Sequence, residues 1–230
     1  RQGLEQLAAA GWDLVPTDFS VFFAAARLLY QGPWVAERQA AFGEFAAANP
    51  AAVLPLLHQI LAPGDQFGAR EVFEFQYRLQ ALKVEADRIL AEFDFALTPT
   101  APTQYRLDQI AADPITLNSN LGTYTNFMNL LDLSAVAVPA GFTQNNLPWG
   151  ITLFARAFHD YQLLAYAEQV SDILFTPQHN QRSLTKPQAR MAGVDRMELA
   201  VCGAHMSGLP LNYQLLERDG VLLEKTLTAR

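Results

Sequence analysis

Two hydrophobic patterns follow one another along this chain, and the first is helical. Up to about residue 92, apolar side chains recur every three to four positions between glycine and proline breaks. A short extended run at Trp12–Pro16 interrupts them and predicts a brief strand. The predicted helices cover Gln2–Ala10, 17–30 with Thr17 or Asp18 as the cap, 33–49, a further stretch ending near Leu61, and 69–92.

Beyond residue 92, short apolar runs alternate with helical stretches. Strands that are apolar throughout and are separated by helices are typical of a layered α/β core with a buried sheet. The fold class predicted is therefore α/β with a helix-rich first part. The strands predicted are Phe93–Leu97, Ser134–Val138 and Pro148–Ala155, and the helices are Leu117–Leu131 and Asp160–Phe175, which Asp160 would cap.

The last part of the chain, from residue 176, has a different composition from the rest. Residues 176–192 are polar, contain prolines and lack periodicity, which predicts an exposed connector. A strand is predicted at Met197–Cys202, and a possible one at Tyr213–Leu216. Only about thirty residues remain there, too few for a second core. We therefore expect the chain to end inside its next domain.

Arg38 stands out against the helical pattern. On a helix from Pro33, steps of about 100° per residue place Trp34, Ala41, Phe42 and Phe45 on one stripe, with Arg38 in its middle. A buried guanidinium cannot lose its proton, so it needs an anion. That anion is either an internal carboxylate, such as Asp18 or Glu37, or a ligand.

Tyr30 is close enough in sequence to share this site, because only the Gly32–Pro33 break separates the two helices. A phenol hydroxyl and a planar guanidinium are well matched to a carboxylate. The pattern thus points to recognition of a small anion, with an internal ion pair as the open alternative.

Composition narrows the classes of partner. Half of the 230 residues are apolar, 17% are charged and the net charge is −7, which argues against nucleic acid or an anionic membrane. No apolar run reaches the ~20 residues of a membrane helix. The single cysteine, Cys202, excludes an internal disulfide and fits a reducing compartment. We expect a cytoplasmic protein.

Candidate catalytic groups are weak in this sequence. No serine lies in a G-x-S-x-G motif or a glycine-rich serine run, and Ser207-Gly208 is read as a turn. Lys83, in the long charged helix, is expected to be solvated. Histidines lack metal-ligand spacing and no phosphate-binding loop occurs, so we assign no catalytic residue, metal or cofactor. The six serines are Ser20, Ser119, Ser134, Ser171, Ser183 and Ser207.

Four segments carry a family resemblance. LLYQGPWVAER (28–38), FALTPTAPT (95–103) and LGTYTNFMNLLDLSAVAVPAGF (121–142) together resemble the amidase signature family, and the first is similar to the allophanate hydrolases within it. MELAVCGAHMSGLPLNYQL (197–215) resembles the opening of the C-terminal domain of those enzymes. The resemblance implies an α/β/α sandwich with a mixed sheet. It divides the chain into an amidase part (1–175), a linker (176–196) and the start of the C-terminal domain (197–230).

The resemblance also implies a reaction. It implies hydrolysis of allophanate, the product of urea carboxylase, toward ammonia and carbon dioxide, by a serine nucleophile, a second serine after a cis peptide and a lysine base. It implies that Tyr30 and Arg38 bind the substrate carboxylate, with a functional link to urea carboxylase. Because unpaired strand edges invite association, we further expect a homodimer.

The chain departs from the family in one respect. The glycine- and serine-rich segment with the triad comes earlier in the family's domain, so we expect this chain to begin after it and to be inactive alone. Two alternatives stay open. One is another amidase-signature enzyme, such as the amidotransferase component that acts on charged tRNA. The other is a catalytically inactive binding or assembly module.

Overall fold

A computed structural model describes residues 2–174, 205–209 and 211–223. The chain divides into two compact units, residues 1–181 and 182–230. The first unit is helix-rich, as predicted. Its helices are α1 (Gln2–Ala9), α2 (Ser20–Gln31), α3 (Trp34–Ala48), α4 (Pro55–Leu61), α5 (Ala69–Leu90), α6 (Leu107–Ala112), α7 (Pro114–Leu121), α8 (Asn126–Leu130) and α9 (Asp160–Leu174).

The described strands of the first unit form one antiparallel sheet. They are β1 (Ala96–Pro99), β2 (Ser134–Phe142) and β3 (Pro148–Ala155), in the order β1-β3-β2. A mixed sheet also contains parallel strand pairs, and both pairs among these three strands are antiparallel. β2 runs past Pro139, where a bulge shifts the register before Gly141, which has a φ of +111°. The bulge accommodates a proline that cannot donate a ladder hydrogen bond.

Helices cover both faces of this sheet. On one face, α1 and α9 contribute Leu7 and Leu163 to a core with Ile151 and Leu153 of β3. On the other face, side chains of α2, α5 and α8 surround Phe154. Successive residues of β3 are therefore buried on opposite sides, as expected for a strand in the middle layer. The predicted α/β/α layering is confirmed.

A ring cluster fixes the inner helices to the sheet. Phe22 of α2, Phe127 of α8 and Phe154 of β3 are fully buried, and their ring centroids lie 5.1–5.6 Å apart. Aromatic pairs at such distances contribute about 0.5–1.5 kcal/mol each beyond their buried area. This cluster anchors the first turn of α2 to the sheet.

Three predicted elements of the first unit were wrong in detail. The strand predicted at Phe93–Leu97 is β1, which covers Ala96–Pro99. Trp12–Pro16 is not a strand: Trp12 packs its ring against Phe95 and Tyr166, at centroid distances of 5.4 and 5.9 Å, and the segment has no strand partner among the described residues. Leu117–Leu131 is not one helix but α7 and α8. The chain turns at Gly122, whose carbonyl accepts from Thr125 and Asn126 backbone amides at 3.0 and 2.8 Å.

The described part of the second unit contains a turn and one short helix. Leu209 N donates to Met206 O at 3.0 Å and Gly208 has a φ of +82°, so the predicted turn at Ser207-Gly208 is confirmed. Tyr213–Leu216 forms helix α10, so the predicted strand there was wrong. Glu217 N donates to Tyr213 O at 2.8 Å, a local bond that a strand would lack. The predicted connector 176–192 and strand Met197–Cys202 lie outside the described residues.

Candidate anion site at the junction of α2 and α3

The site lies where α2 gives way to α3. Gly32 N donates to Leu28 O at 2.8 Å and closes the last turn of α2. Pro33 then precedes α3, and its carbonyl accepts from Ala36 N at 2.8 Å. Proline suits this position because the first amides of a helix have no partner in it. The chain thus changes direction within two residues, with Tyr30 on one side of the break and Arg38 on the other.

Arg38 and Tyr30 meet across this break. The guanidinium carbon of Arg38 lies 5.7 Å from the centroid of the Tyr30 ring. Tyr30 is 45% exposed and Arg38 is half-buried, so both reach solvent. A contact of this kind contributes about 0.5–1 kcal/mol at an exposed site. The contact holds the guanidinium near the Tyr30 ring.

The donors of this pair are not used within the described residues. Neither the Arg38 guanidinium nor the Tyr30 hydroxyl makes a hydrogen bond or ion pair with the part of the chain that the structure describes. Arg38 therefore presents N–H groups in a planar fork beside a phenol O–H. This arrangement is suited to a ligand with two acceptor oxygens, and above all to a carboxylate.

An internal partner for Arg38 does not emerge among the described carboxylates. Asp18 instead binds Ser20, accepting from its backbone N at 2.9 Å and from its Oγ at 2.8 Å. These bonds, with the backbone bond the larger cause, lower the pKa of Asp18 below its ordinary value of 3.8. Asp18 thus supports the first turn of α2 and is not the partner of Arg38; it is not the predicted cap either, since Phe19 holds the N-cap position.

The predicted stripe on α3 was wrong. Ala41 and Phe45 are exposed, Phe45 by 56%, whereas Val35 and Ala46 are the buried residues of α3. The 3-10 helix Ala62–Gln66 helps to determine which side of α3 is covered, because it packs beside Val35 and its Asp65 accepts from Gln39 Nε2 at 2.7 Å. Periodicity could not reveal this neighbour. Arg38 is half-buried, not central in an apolar stripe.

A serine, a histidine and an aspartate also meet, at the start of α9. Buried Ser134 donates to Asp160 Oδ2 at 2.9 Å and accepts from His159 N at 3.0 Å. The ring of His159 does not face the hydroxyl, since its Nδ1 lies 2.9 Å from Ala157 O. A nucleophilic serine needs the imidazole as its base. The group instead joins β2 to the start of α9.

Lys83 was expected to be solvated, and this was wrong. Its side chain is only 25% exposed, and its Nζ donates to Leu131 O at 2.6 Å and lies 3.7 Å from Asp87 Oδ2. The lysine ties α5 to the residue that follows α8. Only the fold brings these residues together, because they are 48 positions apart in sequence.

Residues 2–174, 205–209 and 211–223 show neither a metal-binding cluster nor a membrane-spanning helix. No cluster of three or more histidine, cysteine, aspartate or glutamate side chains there is arranged to hold a metal ion. Within the same ranges, none of the helices combines the length and hydropathy required to cross a bilayer.

Two protein families match two separate parts of the chain. The Amidase family matches residues 1–164, and the Allophanate hydrolase C-terminal domain matches residues 197–230. Urea amidolyase of Lachancea kluyveri is 35% identical over the full chain, which spans 13% of that relative. One component of the glutamyl-tRNA(Gln) amidotransferase of Sulfolobus acidocaldarius is 34% identical, but over only 43% of the chain and 22% of that relative.

A solved structure supports the same family. Allophanate hydrolase of Kluyveromyces lactis superposes with a TM-score of 0.73 at 35% identity, over 94% of this chain and 37% of that one. The predicted family and its amidase-type fold are confirmed. The chain spans a minor part of the proteins it matches.

Proposed function

This chain belongs to the amidase family, and we propose that it forms the substrate-selecting part of an allophanate hydrolase. That enzyme would hydrolyse allophanate toward ammonia and carbon dioxide during urea degradation. The observation that carries the proposal is the contact between Arg38 and Tyr30 across the α2–α3 break. The similarity to allophanate hydrolase and urea amidolyase along nearly the whole chain supports it.

The chemistry assigns a role to each side chain. Allophanate carries a carboxylate at one end and an amide at the other. The fork of Arg38 binds both carboxylate oxygens, and the Tyr30 hydroxyl donates to one of them. The Tyr30 ring beneath the guanidinium holds the fork in position before substrate arrives, which reduces the entropy lost on binding. The clamp fixes the end of the substrate that does not react and so orients the amide for attack.

The hydrolytic groups are proposed to lie outside this chain. None of its six serines is in a glycine-rich run, and Ser20 and Ser134 are engaged in the hydrogen bonds that begin α2 and α9. We therefore assign catalytic serines and a lysine base to another part of the enzyme and expect the isolated chain to be inactive. We propose that residues 1–175 form the C-terminal part of the amidase domain, residues 176–196 a linker, and residues 197–230 the start of the C-terminal domain.

The proposal includes partners and location. Because allophanate is a carboxylated urea, the reaction that supplies it is the carboxylation of urea, which links this protein to urea carboxylase. The likeness to a urea amidolyase supports that link. The single cysteine fits a cytoplasmic location, and we propose a homodimer. No metal or cofactor is assigned.

A substrate screen of the full-length enzyme that contains this chain tests the function. Ammonia release would be measured with allophanate, with biuret and with glutamine. Biuret is the neutral counterpart in which a carboxamide replaces the carboxylate. We expect a clear preference for allophanate over biuret. A preference for glutamine would instead identify an amidotransferase, and equal rates on allophanate and biuret would exclude carboxylate selection.

A further inference from the structure

We propose that Gly32 is a positioning residue for the Tyr30–Arg38 clamp, an inference that rests on the proposed function. The absence of a side chain at Gly32 lets α2 and α3 approach closely enough for the guanidinium to lie over the phenol ring. Gly32 itself touches no substrate. It acts through Trp34, whose ring lies against it at the start of α3.

Space, not backbone conformation, explains the glycine. Gly32 has φ −111° and ψ −177°, an extended conformation open to any residue. A Cβ added there, however, would lie 2.6 Å from the carbonyl oxygen of Leu28, 2.9 Å from Cζ3 of Trp34 and 3.0 Å from Cδ1 of Phe75. Atoms this close overlap, so even alanine requires a displacement.

Two of the three neighbours are held in place. The Leu28 carbonyl belongs to the last turn of α2 and already accepts from Gly32 N at 2.8 Å, and Leu28 itself is only 2% exposed. Phe75 of α5 is backed by Phe67, with the rings edge to face and their centroids 6.0 Å apart. Because the Leu28 carbonyl is the nearest of the three neighbours and is held in place, an added methyl group would displace the Gly32 backbone itself, and with it Trp34 at the start of α3.

A displaced Trp34 would move Arg38. The two residues are four positions apart on α3, so they are neighbours on the same side of the helix. Two contacts consequently cross the break together: the Trp34 ring on Gly32 and the Arg38 guanidinium over Tyr30, at 5.7 Å. Hydrogen bonds to a carboxylate weaken steeply with misalignment. A small displacement of α3 would thus weaken substrate binding without touching the reacting amide.

The test is Gly32→Ala in the full-length enzyme, with Gly43→Ala as the matched control. Gly43 lies within α3, where a Cβ would meet only the Gln39 side chain, nearest at Cγ 3.0 Å. We expect Gly32→Ala to raise the KM for allophanate about five- to tenfold with kcat little changed, the signature of lost uniform binding. Its KM for biuret, and both values for Gly43→Ala, should stay within about twofold.

A second substitution covers the case in which Gly32→Ala does not fold. Trp34→Leu removes the ring that rests on Gly32, and should raise the KM for allophanate in the same selective way. Equal losses on allophanate and biuret that follow the drop in Tm, in whichever of these variants folds, would overturn the positioning role. So would a KM for allophanate that matches the Gly43→Ala control.

Arg38→Lys separates this inference from the proposed function. If Arg38→Lys weakens allophanate selectively while Gly32→Ala and Trp34→Leu do not, the clamp stands and the positioning role of Gly32 falls. If Arg38→Lys has no selective effect, the clamp itself is wrong, and the role of Gly32 falls with it.

Discussion

Ser134 donates a hydrogen bond to Asp160 at 2.9 Å and at the same time accepts one from the backbone of His159 at 3.0 Å. The hydroxyl thereby joins the first residue of β2 to the start of α9. Since Ser134 is buried, both bonds are protected from water. The relationship resembles part of a catalytic triad in composition but acts as a joint between two layers of the fold.

Ser134→Ala should therefore reduce stability without affecting chemistry. Losing the hydroxyl leaves the His159 amide without its partner, at a cost of about 1–3 kcal/mol. That corresponds to a fall in Tm of roughly 2–12 °C for a domain of about 150–250 residues, and to a smaller fall in a larger protein. Thermal unfolding and kcat would be measured on the full-length enzyme. A large loss of kcat at an unchanged Tm would show that Ser134 is catalytic after all.

Lys83→Met tests the bond between α5 and the residue after α8. Methionine keeps the length of the side chain but cannot donate to Leu131 O. Since the lysine is partly exposed, we expect a loss of about 1–2 kcal/mol. The matched control is Arg70→Met on the same helix, where the replaced side chain is 90% exposed. Equal unfolding free energies for the two variants would contradict a structural role for Lys83.

Asp18→Ala should lower Tm in a pH-dependent way. Bonds from Ser20 lower the pKa of Asp18 in the folded state below the ordinary 3.8. Their stabilisation is therefore present above that ordinary value and is lost as pH falls through the folded pKa. The difference in Tm between wild type and variant should be constant from neutral pH to about pH 5 and shrink in more acidic solution. A difference that grows on acidification would contradict this account.

The sheet motivates a prediction about association. Among the described strands, β1 and β2 each pair with β3 on one side only. Strand edges with unpaired backbone groups favour pairing with another chain. We expect a dimer or larger species of this 230-residue chain by sedimentation velocity. A single monomeric species across a wide range of concentration would refute this expectation.

Local patterns predicted most of the helices and strands, because caps, breaks and apolar runs are local signals. The α5 helix and β3 match their predicted positions closely. The extended segment at Trp12 could not be recognised, because its ring is held by Phe95 and Tyr166, which are distant in sequence. Trp12 therefore looked like the start of a strand although it has no strand partner among the described residues.

In the candidate site too, some features were predictable from the local sequence and others depend on contacts between distant residues. Tyr30 and Arg38 were proposed from residue chemistry, the Gly32–Pro33 break and a helical stripe; the stripe was wrong, although the two side chains do meet. Which side of α3 is covered was not predictable, since the 3-10 helix Ala62–Gln66 packs against it through Gln39 and Asp65. The contact between Lys83 and Leu131 was missed for a similar reason, because it joins elements 48 residues apart.

The carboxylate clamp is the central claim, and Arg38→Lys with Tyr30→Phe tests it most directly. Lysine keeps the charge but loses the planar fork, so one hydrogen bond to the carboxylate is lost. Removing this hydrogen bond should cost roughly 1.5–3 kcal/mol of binding free energy, which corresponds to about tenfold or more in kcat/KM for allophanate. Tyr30→Phe, which removes only a hydroxyl, should give the smaller loss.

The decisive measurement is kcat/KM for allophanate and for biuret in wild type, Arg38→Lys and Tyr30→Phe, together with Tm. Arg106→Lys serves as the control, since Arg106 is exposed and pairs with Asp108. The account predicts losses confined to allophanate in the two clamp variants, with Tm nearly unchanged. Equal losses on both substrates that follow a fall in Tm would mean that Arg38 serves only the stability of the fold.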